Sequence, residues 1–174
     1  QILKNNLIII RNDINYGKGF ALNKGFAWGR KNGFKFAITM DADGQHSPGI
    51  IQEFINLGDE IDFGLGYRKF SGAMPFHRRL SNYLTSKLIS IRISKNIVDS
   101  QCGYRRYNLE LLSKYIFKEK GFQFETEVLL KTINNDSNIS HISIPTIYGN
   151  EKSSIRHYYD TFKFISLFLR SFIW

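Results

Sequence analysis

Six consecutive residues, Asp41-Ala42-Asp43-Gly44-Gln45-His46, put two carboxylates, an amide and an imidazole within one turn of chain. Carboxylate and amide oxygens are what hard divalent cations bind. Mg²⁺ in particular is held by one or two carboxylates, with substrate phosphates completing its shell. A polar strand-to-helix turn whose aspartates only cap the next helix would contain the same residues. A second candidate is Tyr16-Gly17-Lys18-Gly19. Its two glycines free the backbone ahead of a helix N-terminus, where Lys18 adds a cation and an anion would be welcome. It lacks the Walker pattern and the G-x-G-x-x-G pattern, and a tight turn with an exposed lysine fits it equally.

Arg68, Arg78, Arg79, Arg105 and Arg106 supply guanidinium groups, which grip phosphate bidentately and stay charged at any relevant pH. Scattered surface arginines are the plainer reading. Glu125 and Glu127 open a helix, where acids either reach a site or only favour the helix dipole. Cys102, the single cysteine, has no base nearby in sequence and reads as a small half-buried filler. His77, His141 and His157 show no metal-ligand spacing.

The residues that must position these groups form a chain of 174, with 24 Lys+Arg against 15 Asp+Glu and a net charge of +9. Nine basic residues and only Asp99 on the acidic side lie between Arg68 and Arg106, so this segment carries +8 of that charge. Such a cluster attracts a polyanion, a phosphorylated small molecule or an anionic lipid surface. No helix-turn-helix, RNP or zinc pattern accompanies it, so nucleic acid is not expected as a partner. One cysteine excludes an internal disulfide framework, and no apolar run reaches the roughly 20 residues needed to span a bilayer.

Apolar β-branched runs predict buried strands over 7–10, 34–40 and 62–67, with helices over 19–32 and from Ser47-Pro48 onward. Ala21, Leu22, Phe26 and Ala27 are expected to face inward from the first helix. Pro75 opens a basic amphipathic helix over 76–93 with the stripe Leu80, Leu84, Leu88 and Ile91. A loop over 99–106, helices near 109–115 and 124–134, and a strand over 141–148 follow. Strand–helix alternation predicts an α/β fold with a mostly parallel sheet flanked by helices. We expect one domain over 1–160 and an apolar, aromatic helix over 161–174.

Five segments occur in order: Asn15-x-Gly17-Lys18-Gly19, Asp41-Ala42-Asp43-Gly44-Gln45-His46, Gly66-x-Arg68, Asp99-x-Gln101-Cys102-Gly103-x-Arg105 and Phe124-Glu125-x-Glu127. Together they resemble family 2 glycosyltransferases, in particular the dolichyl-phosphate mannosyltransferase-like, polyprenyl-phosphate branch. The resemblance runs from about residue 15 to 160, and Glu151-Lys152-Ser153-Ser154 is similar to the family's loop after its last strand. The family's opening P-x-Y-N-E-like strand and D-D-x-S-like turn are not in this sequence. The implied fold is therefore a Rossmann-like GT-A domain lacking its N-terminal strand and helix.

The resemblance implies an inverting transferase that moves a sugar from a UDP- or GDP-linked donor, with Mg²⁺ or Mn²⁺ on the donor diphosphate. Carried over, Asp41 contacts the donor, Asp43 and Gln45 bind the metal, and Lys18, Lys152 and Ser153 lie on the donor side. Arg68, Arg78, Arg79 and Arg105 are assigned to an acceptor phosphate, most naturally a polyprenyl (dolichyl or undecaprenyl) phosphate. Asp41, Asp43 and Asp99 are the catalytic candidates, Asp99 serving as base if the acceptor is a saccharide hydroxyl. The basic helix over 76–93 and the aromatic tail over 162–174 would lie on a membrane surface, on its cytoplasmic face. A non-catalytic binding module that has lost nucleotide recognition is the alternative.

Overall fold

A computed structural model describes residues 7–44, 46–68, 76–145 and 157–174, and of His77, His157 and Tyr158 the backbone. In chain order the regular elements are α1 (Lys18–Lys31), β1 (Phe36–Thr39), α2 (Ile51–Ile55), β2 (Phe63–Arg68) and α3 (Phe76–Ile93). They are followed by β3 (Arg105–Asn108), α4 (Leu109–Ser113), α5 (Phe124–Thr132), β4 (Ile139–Ile144) and α6 (His157–Arg170). Short 3₁₀ turns at Pro48–Ile50 and Ser171–Ile173 precede α2 and extend α6.

Among the described residues four strands order as β1-β3-β2-β4. Only β2 and β4 run parallel; β3 is antiparallel to both its neighbours. The expected mostly parallel sheet is thus corrected to a mixed one. The physical cause lies in the return from α3. Asp99 meets Arg68 at the carboxyl end of β2, so the chain enters β3 from that end and can only run down the sheet. β3 begins within the loop expected over 99–106. Its residues are Arg-Arg-Tyr-Asn, a composition that reads as exposed, yet Arg105, Arg106 and Tyr107 are all buried. Arg106 stacks on the Phe36 ring at 3.6 Å and donates to the carbonyls of Leu57 and Gly58.

The main core packs α1, α3, α5 and α6 against one sheet face through Phe26, Phe63, Ile89, Tyr107, Phe124 and Leu167. A smaller cluster of Phe54, Cys102, Tyr104, Ile142 and Ile144 lies beyond it. Cys102 is fully buried rather than half-buried, and burial pushes its thiol pKa up to about 11. From α1, Phe26 is buried and Leu22 packs against the core as expected, but Ala21 and Ala27 face solvent; Gly19 and Gly29 take the inner positions instead. α6 begins at His157, ahead of the expected boundary at 161, and seats Leu167 in the main core.

Two apolar surfaces face outward, the run over 7–10 against the expectation of a buried strand. Residues 7–10 form no strand, and Leu7, Ile8, Ile9 and Ile10 are all exposed. On α3 the stripe Leu80, Leu84, Leu88 and Ile91 is exposed, while Asn82, Ser86, Ile89 and Ile93 are buried. The inner face of α3 is half polar because Asn82 and Ser86 hydrogen-bond to Asp99 and Ser100.

Candidate functional site

β1 ends at Thr39, and two residues later Asp41 stands at its carboxyl end, the place where open α/β sheets bind ligands. Three segments converge there. Asn15 Oδ1 accepts from Gly17 N at 2.9 Å, and Gly17 adopts φ 99°, a conformation that favours glycine. A Cβ at Gly17 would also run into the Lys120 carbonyl. Phe20 N donates to that same carbonyl at 3.1 Å, so the start of α1 is seated on the 118–121 loop. That loop is in turn pinned by Glu127, whose carboxylate accepts from the backbone N–H groups of Lys118 and Glu119 and from Lys131 Nζ.

The seating directs Lys18, first residue of α1, into the corner. Its Nζ lies 2.7 Å from Asp41 Oδ1 and 2.7 Å from Glu125 Oε2. Burial pulls the ammonium pKa down, but the charges and hydrogen bonds of Glu125 and Asp41 outweigh it and the value lies above that of an ordinary lysine. His46 Nε2 approaches Asp41 Oδ2 at 3.9 Å, and burial lowers the imidazole pKa despite Asp41 and Asp43. The ring leans on Tyr104, which stacks on Phe54. Gly103 has no side chain for a tertiary reason: a Cβ there would overlap the Asp41 carboxylate.

A second cluster surrounds Asp99, whose side chain is 0% exposed. Its carboxylate accepts from Arg68 N, Nε and Nη2, from Asn82 Nδ2 and from Gln101 N. Burial raises the Asp99 pKa, but the hydrogen bonds and charge of Arg68 outweigh it and hold it below the usual carboxylate value. A carboxylate so stabilised as an anion is a poor proton acceptor, and its bonds to Nε and Nη2 fix the direction of the Arg68 guanidinium. Arg105 is 1% exposed and donates to the carbonyls of Cys102, Ser100 and Glu125, so it ties the 100–102 turn to the start of α5.

Of the other expected site residues, Asp43 is exposed in the turn after Asp41, and Arg78 and Arg79 are exposed in the first turn of α3. Gln45, Lys152 and Ser153 lie outside the described residues. Among the described residues no group of three His, Cys, Asp or Glu is arranged to hold a metal ion. The chemistry of Asp41 and Asp43 nevertheless suits a hard cation, since Mg²⁺ needs only one or two protein carboxylates where phosphates complete its shell. Glu125, for which the sequence allows either a site role or a helix-dipole role, reaches the corner by its pairing with Lys18. Its signal was the Phe124-Glu125-x-Glu127 segment.

The sequence pattern of a family described as Glycosyl transferase family 2 matches residues 1–116. The chain is 30% identical over 139 residues to a polyprenol monophosphomannose synthase of Mycolicibacterium smegmatis, covering 74% of this chain and 51% of that protein. It is 31% identical over 151 residues to a UDP-N-acetylglucosamine–dolichyl-phosphate N-acetylglucosaminyltransferase of Methanococcus voltae, covering 82% and 60%. The chain thus spans between half and two-thirds of the length of these curated relatives. Among solved structures, glucosyl-3-phosphoglycerate synthase of Mycobacterium tuberculosis in complex with UDP superposes with a TM-score of 0.67 at 15% identity, covering 94% of this chain and 56% of that one. The same enzyme with Mn²⁺, UDP-glucose and phosphoglyceric acid gives 0.66. The fold is the expected GT-A fold, with a mixed sheet.

Proposed function

The chain belongs to glycosyl transferase family 2, and from that premise we propose that it moves a sugar from a nucleotide-sugar donor to a polyprenyl phosphate, with inversion at the anomeric carbon. An acceptor phosphate oxygen forms the new bond to that carbon as the bond to the donor diphosphate breaks, and the nucleoside diphosphate leaves with the electron pair. The observation that carries the reading is the corner at the end of β1, where Lys18 bridges Asp41 and Glu125 beside a helix N-terminus. The names of the relatives support the acceptor class.

In this reading Lys18 and Asp41 meet the donor diphosphate and its ribose or sugar, Lys152 and Ser153 add to the donor side, and Asp43 with Gln45 would hold Mg²⁺ or Mn²⁺. A divalent cation bound there would offset the charge that develops on the departing diphosphate. A lipid phosphate is already anionic, so it needs orientation more than a base. Arg68, fixed in direction by Asp99, and the exposed pair Arg78 and Arg79 are the groups to orient it. No helix among the described residues is long and apolar enough to cross a membrane. In this reading the acceptor is reached from the surface of the bilayer, on its cytoplasmic face, by the outward stripe of α3 and by Phe162, Ile165 and Leu169 of α6.

The test is transfer of labelled sugar from a panel of UDP- and GDP-sugars to polyprenyl phosphate, with and without Mn²⁺, in the wild-type protein and in Asp43→Ala. Metal-dependent product in the wild type and none in the variant is expected. No product with any donor, or equal product from the variant, refutes the corresponding part of the proposal.

A further inference from the structure

Two acids two residues apart in the first turn of α5 are used in opposite ways. Glu127 is consumed by the scaffold: both of its oxygens accept from the Lys118 backbone N–H, and Glu119 N and Lys131 Nζ add to them. Glu125 takes none of this. Its side chain is 10% exposed, Oε2 receives Lys18 Nζ, and Oε1 is buried without a hydrogen-bond partner among the described residues. Arg105 donates to the Glu125 backbone carbonyl, and its charge acts on the Glu125 carboxylate through space without a hydrogen bond to Oε1. A buried acceptor left unpaired is costly, and each such group in a folded protein calls for a reason beyond packing. Lys18 is thus shared between the carboxylates of Asp41 and Glu125.

We infer that Glu125 is a positioning residue for donor binding: it holds the Lys18 ammonium in the corner opposite Asp41, so that the reach of Lys18 to a nucleoside diphosphate depends on Glu125. The inference rests on the proposed donor role of Lys18. A lysine stem is long and flexible, and its ammonium is a point charge with no preferred plane. Paired with Asp41 alone it would fold down onto that carboxylate. A second carboxylate, contributed by a different helix, keeps Nζ suspended between the two and raised toward the ligand.

The test is a double-mutant cycle read by calorimetry, with UDP and GDP titrated into the protein in the presence of Mn²⁺. The variants are Glu125→Gln, which keeps the shape and removes the charge, Lys18→Ala, and the two together; donor KM and kcat are measured alongside. Glu125→Gln is expected to weaken nucleotide binding on the order of tenfold, as loss of a charged hydrogen bond does. It should raise donor KM with little change in kcat, and have no further effect in the Lys18→Ala background. Glu125→Asp, which withdraws the charge by one methylene, should fall between wild type and Glu125→Gln, and keeps the cycle readable if the amide does not fold. Wild-type affinity in both Glu125 variants, with Lys18→Ala weakened, overturns the positioning role and leaves Lys18 in the donor site. An equal loss from Glu125→Gln with and without Lys18 overturns it as well, because the carboxylate then acts alone. Wild-type affinity in Lys18→Ala, or no nucleotide binding by the wild type, removes the donor reading and this inference with it.

Discussion

Replacing Arg68 by alanine isolates the Asp99 cluster, because it strips two of the five hydrogen bonds from a carboxylate that no solvent reaches. The backbone N–H of residue 68, Asn82 Nδ2 and Gln101 N remain as donors. Breaking a buried ion pair by removing one partner typically costs about 3–5 kcal/mol, since the survivor is left charged and unpaired. With three donors kept, the lower end applies, about 3 kcal/mol. For a chain of this size each kcal/mol moves the midpoint by roughly 2–4 °C, so the melting temperature should fall by roughly 6–12 °C. Urea denaturation at neutral pH, followed by circular dichroism, measures the difference directly.

The same variant carries a pH signature with a defined sign. The Asp99 pKa is held below the usual carboxylate value in the folded protein, so its stabilising contribution is complete above that usual value and is lost as pH falls through the lowered one. The gap between wild type and Arg68→Ala should therefore be constant near neutrality and close in acid. A gap under about 1 kcal/mol at neutral pH, or one that does not narrow on acidification, would refute the argument that Asp99 is a buried anion held by Arg68.

Arg78→Ala combined with Arg79→Ala should abolish transfer to polyprenyl phosphate while nucleotide affinity stays at the wild-type value; unaltered turnover removes the pair from the acceptor site. Leu84→Glu with Ile91→Glu should reduce flotation with anionic vesicles and leave the unfolding free energy within about 1 kcal/mol of wild type, because both side chains are already exposed. The expectation of anionic vesicles follows from α3, which carries Arg78, Arg79, Lys87 and Arg92 and no acid. Equal flotation of variant and wild type would show that α3 does not meet the lipid.

Local chemistry made much of this protein legible. The run of alternating strands and helices, the helix over 76–93 bounded by Pro75, and the placement of Asp41 at a strand end all follow from short-range pattern: apolar periodicity, glycine and proline punctuation, and a cluster of oxygen ligands. The ordered motifs from Asn15 to Glu127 carried the family, which the matched pattern and relatives bear out. Short-range pattern failed where partners come from far along the chain. β3 escaped notice because Arg105 and Arg106 look solvent-bound in sequence, and only carbonyls from residues 57, 58, 100, 102 and 125 make their burial tolerable. The polar inner face of α3 was not legible either, since Asn82 and Ser86 are buried only because Asp99 and Ser100 meet them.

What the residues alone determined is therefore which chemistry is available: two aspartates after a strand, a lysine at a helix start, and a chain of arginines. The tertiary structure decided how these groups divide. It joined Lys18 to Asp41 and Glu125, enclosed Asp99 with Arg68, and turned Arg105 inward to backbone carbonyls. The physical reason is that a charged side chain's role is set by its desolvation and by the partner it meets at about 3 Å, and those partners lie 23 to 107 residues away along the chain for Lys18 and 31 residues away for Arg68. Sequence order records none of those distances.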